Sequence, residues 1–480
     1  MRCVRAGPDF IDDPDGYGQS GADLVELQLE LFPAVNPGKL RLLSDRAGLK
    51  TLARVGRPGG KGLALLEKAV LARLDYIELP LETDVETRGR MLAKARKGAV
   101  KVVLSLRSSR PPGSAETVLR VFQKCARAGG DLALASFDVS RADDVRALRE
   151  ASSAARRQGI RHGLDGEGGL SGLVPLLGAD LVFGGLDGRG DRPGLGLLSR
   201  TGPATCLCAM VGEPAHPEAA PEALNAFFRS QGLDAACLGL RPGPDGPGEV
   251  ARLLGELGFR GMMIGRPFRA AMASCAPAAG GDAPSVSVVT VRGGVLAGHD
   301  TDGPALLGVL DSSGVRVHRR RTLVLGTGGA ARSAARALGS RGARVVVAGR
   351  DLRRALEAAR AAGASAAPLS SAGAILSRSS LLVNAIPGGP REALADSMLR
   401  PGLVVADLDC APGGSGLAGR AAEGGAHTIR GSAVLARNLA EAIRLFTGTR
   451  PPRRAVEELL DESLSRSARA QAKRQRDQSY

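Results

Sequence analysis

The chain has 480 residues, 44% of them hydrophobic and 24% charged, with 65 Lys and Arg against 49 Asp and Glu for a formal charge of +16. That length excludes a single hydrophobic core and implies roughly two to four domains. With no Trp and 3% aromatic residues, the cores must be built from Leu, Val, Ala and Ile. No apolar run approaches the roughly 18 residues that a membrane span requires, and the opening Met1-Arg2-Cys3-Val4-Arg5 lacks the apolar stretch of a secretory leader. The seven cysteines are scattered; even Cys206 and Cys208 have no His or Cys neighbours that would complete a zinc site. Reduced thiols in a cytoplasmic protein are expected. The basic residues are spread along the chain. Their one cluster, 466–476, has no interleaved aromatics, so nucleic acid is not expected as a partner and no membrane is implied.

Over the first 200 residues, short apolar runs alternate with helical periodicity. The runs are 2–6, 24–31, 50–55, 76–81, 100–106, 132–137, 161–164 and 181–185; helical patterns cover 62–72, 87–97, 115–128 and 142–159. Eight strand candidates separated by helices predict a (β/α)8 barrel. Segment 7–21, with two Pro and four Gly, is no normal helix. The stretch 184–203 is rich in Gly and Pro and reads as a loop and linker.

A new pattern starts at Thr205: strand 206–211, helix 221–230, strand 235–240, helix 248–257, strand 261–265, helix 268–275 and strand 285–292. A further α/β unit runs from 322 to about 430, followed by helical patterns at 432–446 and 455–464. The fold class is therefore α/β throughout. The expected domains are a barrel at 1–203, a substrate domain at 204–303 and a nucleotide-binding domain at 304–430. Helices at 431–464 are expected to pack back on the substrate domain, and 465–480 to form a basic, unstructured tail.

The clearest chemistry lies at 322–350. The apolar Leu323-Val324-Leu325 runs into Gly326-Thr327-Gly328-Gly329-Ala330-Ala331, then a helix, then a second strand at 344–348. In this Rossmann layout, glycines let the backbone approach a diphosphate, and the helix start offers free N–H groups and a positive dipole. The second strand ends in Gly349-Arg350-Asp351, with Arg353 and Arg354 just beyond. Guanidinium groups suit a ribose 2′-phosphate, which favours NADP over NAD; Asp351 fits the first turn of the next helix.

With these features in place, residues 206–448 resemble the shikimate dehydrogenase family. The resemblance rests on the Gly-rich loop with Ala348-Gly349-Arg350, on Val383-Asn384-Ala385-Ile386-Pro387, and on Val404-Val405-Ala406-Asp407-Leu408. It extends to Leu445-Phe446-Thr447-Gly448, to Gly298-His299-Asp300-Thr301-Asp302-Gly303, which is similar to G-Y-N-T-D-G, and to 258–267. It implies NADP bound at Gly326, Gly328, Gly329, Ala330, Ala331, Arg350 and Asn384. Residues 1–200 resemble type I 3-dehydroquinate dehydratase through 21–27, Arg54 with Gly59-Gly60, 75–77, 101–105 and Gly130-Asp131. The order of the halves is that of the bifunctional enzymes of aromatic amino-acid biosynthesis, with a small, shikimate-like molecule as substrate.

Several positions depart from both families. The dehydratase Schiff-base Lys falls on Leu134, and its acid–base His falls on Arg107; leucine forms no imine, and arginine does not give up its proton. Binding positions become Gln28, Pro80, Gly172 and Leu195, while Glu26 and Arg54 match. Dehydratase chemistry is therefore expected to be absent. In the dehydrogenase half, the catalytic Asp matches Asp302, and its Lys partner falls on Arg269. Glu218 replaces one of the serines that hold the substrate carboxylate, and Met263, Gly265, Ser287, Cys410 and Asn438 replace further binding residues. Asp302 reads either as a retained catalytic residue or as a helix cap. The five histidines, 162, 216, 299, 318 and 427, have no metal-ligand spacing, and no metal is expected; His216 lies in the loop beside the expected cleft. Three functions compete: an NADP-dependent oxidoreductase, a pseudoenzyme that binds NADP without turnover, and, as the third, nucleic-acid association through the basic surface.

Overall fold

The computed structural model describes residues 1–477 except Ala34, Arg57, Pro58, 187–192, 213–218, 280–282, Pro284, 391–392 and 411–415, with side chains through Arg469. Its first unit is a closed barrel of eight parallel strands in sequence order. These are β1 (Arg2–Arg5), β2 (Leu24–Gln28), β3 (Lys50–Arg54), β4 (Tyr76–Pro80), β5 (Lys101–Arg107), β6 (Leu132–Asp138), β7 (His162–Glu167) and β8 (Leu181–Gly184). Side-chain caps start three of the connecting helices: Asn36 accepts from Lys39 N, Asp84 from Thr87 N and Ser114 from Thr117 N. Segment 7–21 forms only a 3-10 turn at Pro8–Ile11 and a single helical turn at Pro14–Gly18, as its Gly and Pro content requires.

The period of two along each strand sorts the barrel interior into layers. One apolar cluster holds Cys3, Leu24, Leu52, Tyr76, Val103, Leu132, Leu134, Leu181 and Phe183. Further along the strands, towards their C-terminal ends, inward positions carry charge: Arg5, Glu26, Arg54, Glu78, Arg107 and Asp165. Arg107 makes a two-bond fork to Glu78 at 2.7 Å each and reaches Asp165 at 3.3 Å and Glu26 at 3.4 Å. Arg5 bonds Glu26 at 3.3 Å and also Asp165; Arg54 pairs with Glu26 and donates to Gln28 at 2.6 Å. The guanidinium carbons of Arg5 and Arg107 sit 5.5 and 5.7 Å from the Phe183 ring centroid. Burial alone would raise the Glu78 carboxyl, but the Arg107 charge and hydrogen bonds outweigh it and hold the pKa below its ordinary value. Burial likewise opposes charge on Arg107, and the surrounding carboxylates, Glu78 foremost, raise its pKa nonetheless.

The second unit starts at Ala204. It has a five-stranded sheet, ordered β10-β9-β11-β12-β13, from β9 (Cys206–Val211), β10 (Ala235–Leu240), β11 (Gly261–Ile264), β12 (Val288–Arg292) and β13 (Val295–His299). The last three strands are joined antiparallel. Sequence periodicity gives β12 but not β13, because Gly293-Gly294 turns the chain with both residues at positive φ and the second arm is partly exposed. The six-stranded sheet is wholly parallel, ordered β16-β15-β14-β17-β18-β19. Its strands are β14 (Arg321–Leu325), β15 (Arg344–Gly349), β16 (Ser365–Pro368), β17 (Leu381–Asn384), β18 (Val404–Asp407) and β19 (His427–Arg430). The chain order reverses between β14 and β17, the point where such sheets open a crevice for dinucleotides.

Helix Gly431–Thr447 and helix Arg453–Asp477 follow. Ala436, Leu439, Ile443, Phe446, Val456 and Leu460 join one core with Phe227, Phe228 and Met263 of the smaller domain. The expectation of an unstructured tail from 465 is corrected: the helix continues to Asp477. The stretch 465–477 contains neither Gly nor Pro and is rich in Arg and Ala, which favour helix, and Arg466 pairs with Glu462 one turn back. Among the described residues, no helix is long and apolar enough to cross a membrane, and no cluster of metal-ligand residues occurs.

The barrel-mouth ion cluster makes a specific demand. Replacing Arg107 with Leu leaves Glu78, 4% exposed, as an uncompensated buried charge and should cost about 3 kcal/mol; Arg107→Leu with Glu78→Leu should recover most of it. The chain has no Trp and three Tyr, of which Tyr17 and Tyr76 lie in the barrel. Urea unfolding followed by tyrosine fluorescence therefore reads this unit, and a single variant no less stable than the double would refute the account.

Candidate active site

The crevice loop follows β14. Gly326 has φ 110°, and a Cβ there would lie 3.2 Å from the Ala385 carbonyl oxygen, so only glycine turns the chain at this point. Gly328 caps helix Gly329–Ser340 with extended backbone and no side chain, and nothing lies within 4 Å of where its Cβ would be. The first amides of that helix have no intrahelical acceptor and no side-chain cap. A diphosphate fits this opening in both shape and charge. At Gly329 a Cβ would come within 2.6 Å of Ser285 Oγ and 2.7 Å of Arg269 Cβ, so glycine here lets the substrate side close on the loop. Ala330 lines the cleft, whereas the Ala331 side chain is fully buried in the sheet–helix core; only its amide faces the helix start.

The loop after β15 separates the charges. Asp351 caps helix Leu352–Arg360, its Oδ1 accepting from Arg353 N at 2.9 Å and Arg354 N at 3.2 Å. Arg350 is exposed and makes no ion pair among the described residues. Asn384, which the resemblance places at the cofactor, is the last residue of β17. Its side chain is fully buried; Nδ2 donates to Asp407 Oδ1 at 2.8 Å, and Oδ1 accepts from Ile386 N at 3.1 Å. Asn384 is a positioning residue that shapes the 385–387 loop.

Opposite the loop, a cavity of about 160 Å³ is lined by Gly265, Arg266, Arg269, Asp302, Cys410 and Asn438 among others. Asp302 begins helix Asp302–Ser312 but makes no capping bond. Instead Oδ2 pairs with Arg269 Nη1 and Oδ1 accepts from Asn438 Nδ2, so the helix-cap reading falls. Arg269 Nε donates to the Ile264 carbonyl at 2.8 Å, which fixes the guanidinium plane. Thr301 donates to Asn438 and meets Ser287 Oγ at 2.8 Å. Three positions that depart from the family pattern, Arg269, Ser287 and Asn438, are thus joined in one network around Asp302. Sequence spacing cannot reveal this, because 136 residues separate Asp302 from Asn438.

Other departures resolve differently. Met263 is buried in the apolar core. Gly265 packs against Gly212, where a Cβ would stand 3.1 Å from the Gly212 Cα. Burial, helped by Asp409 and Asp407, pushes the Cys410 thiol up to about 12, so it stays neutral. His216 and Glu218 lie outside the described residues. Arg266, which sequence reading passes over, lines the cleft and is exposed, with no hydrogen bond or ion pair among the described residues. In the barrel, Leu134 is fully buried in the apolar layer and Arg107 is held in the ion cluster. The only lysines on barrel strands are Lys50 and Lys101, at the opposite, N-terminal ends.

Asp300 stands where the family pattern has Asn. Ser333 Oγ donates to it and accepts from Gly303 N at 2.6 Å. Burial, aided by the Asp302 charge and opposed by the Ser333 hydrogen bond, pushes Asp300 from 3.8 up to about 6. A carboxyl raised on folding binds its proton more readily in the native state, so its contribution to stability is full below about pH 4 and is lost as pH rises through about 6. Asp300→Asn should therefore raise stability at pH 8 by about 1–2 kcal/mol and change little at pH 4. Calorimetric melts at both values check this; an equal effect at both would exclude the ionisation.

No family model matches the chain. A shikimate dehydrogenase (NADP(+)) of Gluconobacter oxydans is 33% identical over 276 residues, spanning 55% of this chain and 98% of that protein. The chloroplastic bifunctional 3-dehydroquinate dehydratase/shikimate dehydrogenase of Arabidopsis thaliana is 25% identical over 505 residues, spanning 94% of this chain and 82% of its own. A solved shikimate 5-dehydrogenase from Thermus thermophilus, in complex with NADP(H) and shikimate, aligns with TM-score 0.47 and 27% identity over 54% of this chain and 100% of its own. Through its second unit, the chain belongs to the shikimate dehydrogenase family.

Proposed function

We propose that the second unit is an NADP-dependent oxidoreductase for a small anionic hydroxy acid of the shikimate type, and that the barrel fused to it has no Schiff-base dehydratase chemistry. The observation that carries the cofactor half is the Gly-rich helix start beside an unpaired Arg350, with Asp351 turned to capping. Bound there, NADPH supplies a hydride. Gly328 and the amides of 329–331 would hold its diphosphate, and Arg350 its 2′-phosphate.

On the substrate side, Arg269 can orient a carbonyl oxygen and stabilise the negative charge that grows on it. It keeps its own proton, so the proton completing the alcohol must come from water. Both Asp302 oxygens are already engaged, which leaves Asp302 to hold Arg269 rather than to move protons. Arg266 supplies the uncompensated positive charge that an anionic substrate needs in this cleft. The saturated Arg269–Asp302 pair also favours a second reading, in which the unit binds NADP without turnover.

Fluorescence titration with NADPH and NADH separates the cofactors. NADPH should bind more tightly, and Arg350→Ala should weaken it by about 10–100-fold while leaving NADH nearly unchanged; equal affinities in the wild type would remove the NADP assignment. Steady-state reduction of 3-dehydroshikimate then tests the chemistry. Arg269→Lys restores a proton donor and should raise kcat about 10²-fold. Cofactor binding with no turnover in either protein would establish the non-catalytic reading.

A further inference from the structure

We propose that the barrel carries an anion site at the N-terminal ends of β3, β4 and β5, built for a small molecule with adjacent phosphate groups. A cavity of about 390 Å³ opens there, lined by five cations, Arg41, Lys50, Arg73, Lys97 and Lys101, against the single carboxylate of Asp75. One oxygen of that carboxylate is engaged: Asp75 Oδ2 accepts from Thr51 N and from Thr51 Oγ1 at 2.9 Å each. Lys50, Arg73, Lys97 and Lys101 make no ion pair among the described residues. Lys97 ends helix Val85–Lys97, where a cation is favourable on local grounds. The others have no such reason: Lys50 and Lys101 open strands, and Arg73 holds a left-handed backbone at φ 55°.

The site is held in place. The Lys101 ammonium lies 5.8 Å from the centroid of the Tyr76 ring, which is buried. Arg41 Nη1 donates to the Arg73 carbonyl, and Arg41 Nε bonds Asp45 at 3.1 Å. The same barrel shows how it treats cations that need no ligand: at the other end of the strands, Arg5, Arg54 and Arg107 are matched by Glu26, Glu78 and Asp165. Cations of one sign lining a concave surface repel each other and focus the field on an incoming anion. The volume exceeds one phosphate, and the charge excess suits two. No exposed aromatic is present for base stacking, which argues against a nucleic-acid strand.

Inorganic pyrophosphate is the probe, titrated calorimetrically into the full chain at two salt concentrations. Expected are binding that weakens with salt, a loss of about tenfold or more in the Lys50→Gln/Lys101→Gln double variant, and no comparable loss in Arg350→Ala. Arg350→Ala tests only the 2′-phosphate corner of the crevice; saturating NADPH, which also fills the diphosphate loop, should likewise leave pyrophosphate binding intact, and the two comparisons together separate this site from the dinucleotide crevice. Both lysines are exposed, so the double variant should keep its far-UV dichroism and, without anion, its melting temperature. Undiminished binding in the double variant, loss in Arg350→Ala instead, or tighter binding of duplex DNA than of pyrophosphate would each overturn the proposal.

Discussion

A guanidinium group stays charged at any pH a protein experiences, so a buried one must be neutralised by its neighbours. In this molecule arginine stands at two positions where the resembling families place a proton-transferring side chain, and the surroundings of each follow from that. Arg107 draws Glu26, Glu78 and Asp165 into one cluster across four strands. Arg269 draws Asp302, which Asn438 then holds from its other oxygen. The geometry of both centres is set by permanent charge rather than by a group that could change protonation during a reaction.

The two arginines have different consequences because the chemistries differ. A Schiff-base dehydratase needs a primary amine inside the barrel, and an arginine with a leucine in the layer beneath supplies none. Reduction of a ketone by hydride needs charge stabilisation at oxygen and a proton from some source. Arginine provides the first, and water can provide the second at a slower rate. On the proposed reading, a barrel with Leu134 and Arg107 has no amine for an imine, whereas Arg269 only slows a hydride transfer, and the crevice loop lies in the half that keeps its chemistry.

Most of the architecture was legible in the chain because it rests on local signals. The eight barrel strands, the Gly-rich turn after β14 and the helices that follow all announce themselves through periodicity, caps and glycines. The misreadings have local causes too. The β13 arm is only partly buried, and beyond Leu464 the terminal helix has no apolar residue larger than Ala to mark it. At the site, the identities of Arg269 and Asp302 were readable but their pairing was not. Asn384 ends a strand of four residues, and nothing in its motif says that its amide is turned inward to Asp407. Arg266 was missed for lack of a motif, since an unpaired cation is recognised by what surrounds it.

The completeness of these networks bears on how the substitutions are to be understood. Unconstrained replacement of a buried Lys–Asp pair and its polar neighbours would leave unsatisfied atoms, each costing about 1–3 kcal/mol. Asp302 itself has no such atom, and the one left beside Arg269 among the described residues is Ser285 Oγ, buried without a hydrogen-bond partner. Both carboxylate oxygens are bonded, Asn438 donates to one of them and accepts from Thr301, and Thr301 is tied to Ser287. An arginine with a second nitrogen anchored on the Ile264 carbonyl fills the space a flexible lysine would sweep. The replacements around Asp302 bond to one another and not only to the backbone. A cleft with an anchored guanidinium at Arg269, a second one at Arg266 and a neutral thiol at Cys410 is suited to holding an oxyanion and poorly equipped to shuttle protons.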